Sequence, residues 1–95
     1  MNAYKTYSKK DIEFYGQSNL INALWWTIQS NHDKGLVIYF ENGTALEVVY
    51  NNYQINNDGV ITESRTFSDK NNLFFFVDNI IEMNTISEIQ VCPAA

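Results

Sequence analysis

A single cysteine cannot close a disulfide within its own chain, and Cys92 is the only one this sequence has. That excludes a disulfide scaffold and fits a reducing compartment. The one histidine, His32, lies sixty residues away in sequence, so the pair cannot build a structural zinc site. Four scattered glycines make no phosphate-binding loop. No apolar run approaches the about 20 residues that span a bilayer. Residues 1–10 are too polar for a secretory signal. A cytoplasmic location without membrane contact is therefore expected.

Basic residues are also scarce, six against eleven acids, giving a net charge of −5. The imbalance is uneven. Lys5, Lys9 and Lys10 give residues 1–10 a charge of +3, whereas residues 11–95 sum to −8. Nucleic-acid binding needs a basic surface, so none is expected. The acidity suits a basic protein partner, or serves solubility alone.

Aromatic residues are plentiful, fourteen in 95 positions. A single small domain, 1–95, has little interior in which to hide them all. Homo-oligomerisation is one way to cover the surplus.

The strongest local signal is Asn42-Gly43, between Leu36–Glu41 and Thr44–Tyr50. An Asn-Gly pair between apolar runs predicts a two-residue type I′ hairpin, because both central residues need positive φ. Leu36, Ile38 and Phe40 should share one face of the first strand, with Val37 and Tyr39 on the other. After the turn, Leu46, Val48 and Tyr50 alternate with Ala45, Glu47 and Val49. Both faces are largely apolar, so both need cover, one from a helix and the other from further structure or a second subunit.

That helix is predicted from Ser18 or Asn19 to about His32. Ile21, Leu24, Trp25 and Ile28 form one stripe, and Trp26 lies about 100° further round. Ser8 and Asp11 carry a capping signal. Residues 11–16 stay open between helix and strand, and residues 1–10 between a packed segment and a flexible arm. Val60–Phe67 reads as a polar edge strand after the Asn57-Asp58-Gly59 turn. Leu73–Val77, with Phe74-Phe75-Phe76, reads as a central strand, and Ile80–Met83 and Ile86–Val91 as closing elements. The expected fold is α+β: one N-terminal amphipathic helix packed on an antiparallel sheet of about five strands.

No convergent catalytic set is visible. His32 reads as a helix-end cation and Cys92 as inert. Asn56, Asn57 and Asp58 read as turn chemistry, lacking the spacing of a calcium loop. No cofactor or metal is expected. Glu41, Glu47 and Glu63 could approach across strands as paired carboxylates, the basis for a small enzyme as the third reading.

The leading expectation is a non-enzymatic binding protein that inhibits or adapts another protein. Short, acidic, motif-free chains of this kind include phage-encoded anti-defence proteins such as anti-CRISPRs, though no motif assigns this chain to one. Trp26, Tyr39, Tyr53 and Phe75 are the expected aromatic contacts, because aromatics dominate interface hot spots. Glu47, Asp58 and Glu63 are the acidic partners for Lys or Arg. The second reading is an oligomer that sequesters a nucleotide-like ligand between aromatics, with Arg65 on its phosphate.

Overall fold

A computed structural model describes residues 5–16, 19–23, 25, 35–50, 61–79 and 85–92. Tyr50, Val77 and Asp78 are described by backbone alone. The elements, in order, are β1 (Lys5–Ser8), α1 (Lys9–Tyr15), α2 (helical at residues 19–23 and 25), β2 (Gly35–Phe40), β3 (Ala45–Tyr50), β4 (Glu63–Phe67), α3 (Lys70–Asn79) and β5 (Ile86–Cys92). One five-stranded sheet runs β1-β5-β2-β3-β4. The fold is thus α+β and mainly antiparallel, but with several helices instead of one N-terminal helix.

The N-terminal segment is a strand over Lys5–Ser8. β1 pairs with β5, Tyr7 opposite Ile89, and Tyr7 is buried. Ser8 then caps α1. Its hydroxyl accepts from Asp11 N (3.2 Å), and Asp11 Oδ2 accepts from Ser8 N (3.0 Å), a reciprocal capping box. Gly16 ends α1 at φ 71, a left-handed conformation that glycine adopts without a Cβ penalty. Its N–H donates to Ile12 O (3.2 Å), and its C=O accepts from Leu20 N (3.0 Å) at the start of α2.

In α2, Leu20, Ile21 and Trp25 are buried, as the stripe predicts. Ser18, Leu24, Ile28 and the proposed stop at His32 lie outside the described residues.

The hairpin is present, with Ile38 opposite Leu46 and Tyr39 opposite Ala45. Its turn differs from expectation. Gly43 N donates to Phe40 O (3.0 Å), and Phe40 N donates to Thr44 O (2.9 Å). Glu41 and Asn42 are therefore the central pair and Gly43 closes a three-residue loop at φ 89. Asn42 Oδ1 accepts from Thr44 N (3.0 Å) and Thr44 Oγ1 (2.6 Å), fixing the loop from inside.

Two further corrections concern pairing and identity. β4 is an edge strand as expected, but it runs parallel to β3, with Glu47 opposite Ser64. Leu73–Val77 is not a central strand: it forms most of α3, started by Asp69, whose Oδ1 accepts from Asn72 N (2.9 Å). Leu73 and Phe76 are buried on one stripe while Phe75 is 66% exposed. The central place goes to β2, and β5 lies in the interior of the sheet between β1 and β2. Tyr39 opposes Glu88 and Phe40 opposes Ile86, so Ser87 bulges, and its hydroxyl donates to Tyr39 O (3.1 Å).

Each strand of the hairpin alternates as expected, and the three-residue loop sets Leu36 and Ile38 on the face of Leu46 and Val48. On this first face of the sheet, Leu36, Ile38, Leu46 and Val48 join Ile89 and Val91 in the main core, which α1, α2 and α3 cover through Ile12, Leu20, Ile21, Trp25, Leu73 and Phe76. On the second, Val37, Ala45, Val49 and Cys92 form a smaller buried cluster against which Tyr39 and Ile61 pack.

Candidate binding surface

Strand alternation decides which of the expected site residues can act together. Tyr39 and Glu47 meet on the second face. Glu47 and Gln90 flank Val37 on neighbouring strands, and Glu88 lies directly opposite Tyr39. Glu47 Oε1 accepts from Ser64 Oγ (2.8 Å), and Gln90 Nε2 donates to Glu88 Oε2 (2.6 Å). Glu47, Glu88 and Gln90 are half-buried. Gln90 Oε1 is buried and accepts no hydrogen bond among the described residues. Glu88 and Gln90 escaped sequence reasoning because their strand read as a peripheral closing element, whereas it is an interior strand with a neighbour on each side.

Glu63 and Arg65 lie on the first face of β4, and Phe75 lies on α3, the helix that packs beside that strand. The Arg65 guanidinium lies 4.7 Å above the Phe76 ring centre, and Phe76 packs on Phe67 with ring centres 5.4 Å apart. Glu63 Oε1 accepts from Arg65 Nη2 at 3.4 Å. Both side chains are about half exposed, so this ion pair adds little stability. Phe75 follows from the next helical position, turned from the buried stripe into solvent. A guanidinium and a carboxylate are thus exposed on β4, and an unburied aromatic on the adjoining helix.

The three candidate carboxylates do not converge. Glu47 lies on the second face, Glu63 on the first, and Glu41 in the hairpin loop, where it accepts from Lys9 Nζ. No cluster of His, Cys, Asp and Glu able to hold a metal occurs among the described residues. Cys92 is buried, its Sγ 3.8 Å from Gln90 O. Trp26, Tyr53, Asp58 and His32 lie outside the described residues.

A second exposed aromatic, Phe14, is 87% exposed on α1, with its ring edge against Tyr15 at 5.9 Å. It stands beside the opposite edge of the sheet from α3, so Phe14 and Phe75 mark separate surfaces.

No helix among the described residues is long and apolar enough to cross a membrane. These features define a small α+β domain on a mixed five-stranded sheet. Comparison with protein families, curated proteins and solved structures finds no match for the chain.

Proposed function

We propose that this protein works by binding another protein, without catalysis, through the corner formed by β4 and α3. The supporting observation is Phe75, 66% exposed on the solvent side of α3 beside the Arg65–Phe76 stack. Among the described residues Phe75 has no partner that would explain a large apolar ring in water. Aromatic and arginine side chains are the types that carry most interface energy. The charge of −8 over residues 11–95 favours a partner with a basic surface and speeds its encounter. Inhibition of that partner is the concrete form of the activity.

Native mass spectrometry of the protein isolated from its source tests this. The expected result is a second protein travelling with the chain, lost on Phe75→Ala while thermal stability stays unchanged. A small adduct in its place would overturn the reading in favour of ligand sequestration.

A further inference from the structure

The geometry points to a second copy of this chain as the occupant of the outer edge of β4, which has no neighbouring strand among the described residues, paired antiparallel about a two-fold axis through Ser64. β4 closes one side of the sheet, and Glu63, Ser64, Arg65 and Thr66 are all exposed. Such an edge offers unpaired backbone groups as a template for another strand.

The hydrogen bonds settle which groups face outward. Phe40 N donates to Thr44 O, so even-numbered residues of β3 turn their backbone groups toward β2. Odd-numbered residues, including Glu47, turn theirs toward β4. In a parallel ladder, one residue of each opposed pair bonds to the partner strand while the other turns away. Glu47 opposes Ser64 and Val49 opposes Thr66, so Ser64 and Thr66 present their N–H and C=O outward.

Two copies can join only in registers where outward groups meet, which puts the axis through a residue. An axis through Arg65 sets Arg65 against its own mate, two like charges. An axis through Ser64 sets Ser64 against Ser64 of the second copy, exchanging two backbone hydrogen bonds. It also sets Glu63 against Arg65 of the second copy, twice by symmetry. An edge charged to repel copies would carry one sign. This one carries Glu-x-Arg, which is self-complementary in that register.

Both side chains lie on the first face, where Arg65 keeps its seat on Phe76. Phe75 points away from the sheet and stays available. The pairing therefore goes beyond the protein-binding reading above and does not depend on it. A strand of five residues buries less than a standard interface, so the dimer forms in proportion to concentration.

Mass measured by light scattering on the full chain across a concentration series should rise toward twice 11.0 kDa. Glu63→Arg or Arg65→Glu alone should weaken dimerisation at least tenfold, and the double exchange should restore it. Ser64→Cys provides a readout of register. Opposed residues of a hydrogen-bonded pair lie about 5.5 Å apart, within reach of a disulfide. It should cross-link on mild oxidation, whereas Thr66→Cys, roughly 13 Å from its mate, should not. The buried Cys92 leaves the background low. A chain that stays monomeric at its highest soluble concentration overturns the proposal. So does a dimer in which Thr66→Cys links as readily as Ser64→Cys, or one the double exchange fails to restore.

Discussion

Between Ser8 and Asp11, three hydrogen bonds close the start of α1. The Ser8 backbone N–H, and next its hydroxyl, hold the Asp11 carboxyl below its ordinary pKa, with Lys5 assisting. The unfolded chain thus takes up the Asp11 proton at higher pH than the folded one. The stabilisation is complete above the ordinary carboxylate pKa and is lost as pH falls through the lower folded value. Denaturation curves should show wild type ahead of Asp11→Asn at neutral pH, with the gap closing below roughly pH 4. Ser8→Ala should cost about 1 kcal/mol at neutral pH in the same assay. Gly43 is the other residue with a demanding backbone. A Cβ there would meet nothing within 4 Å, so the cost of Gly43→Ala is conformational. It should be about 1–2 kcal/mol, with Gly43→Asn losing less, because Asn tolerates positive φ better. Both residues were legible in sequence: Asn-Gly marked the turn and Ser-x-x-Asp the cap. The turn length was not, because a glycine with positive φ serves a two-residue or a three-residue loop equally well.

At the level of elements, α3 is the clearest test. Leu73 and Phe76 are buried and Phe75 is exposed, the spacing of a helix. Leu73→Ala and Phe76→Ala should each cost about 2–5 kcal/mol in equilibrium unfolding, and Phe75→Ala less than about 0.5. A strand would instead set Leu73 and Phe75 on one face and make their costs similar. Five consecutive apolar residues carry neither period, so sequence alone favoured the strand through the β-propensity of phenylalanine. The legible hint was Asp69, an N-cap residue just ahead of the run. The β2–β3 pair was readable because a turn and an alternating pattern agreed. The direction of β4 was not, since alternation looks the same in parallel and antiparallel strands. The candidate site suffered accordingly: Glu63 and Arg65 were correctly put on an edge, but Phe75 was assigned to a sheet face, not to a helix beside them.

For the molecule as a whole, the decisive contact is β1 with β5, which joins Lys5 to Val91 across nearly the entire sequence. Removing residues 1–8 should therefore be costly. It takes away Tyr7, 3% exposed, and leaves the interior strand β5 with an open edge. A loss of at least about 3 kcal/mol is expected, read as a fall in Tm of roughly 12 °C or more. So distant a pairing must also await the rest of the sheet during folding, because closing the longest loop costs the most entropy. Its geometry has a mechanical side. Lys5 and Val91 lie at the same end of an antiparallel ladder, so traction applied at Lys5 and Cys92 would load the rungs in succession, not all together. Stretched from these points, the protein would open like a zipper at low force, shedding β1 before the strands beneath it bore any load.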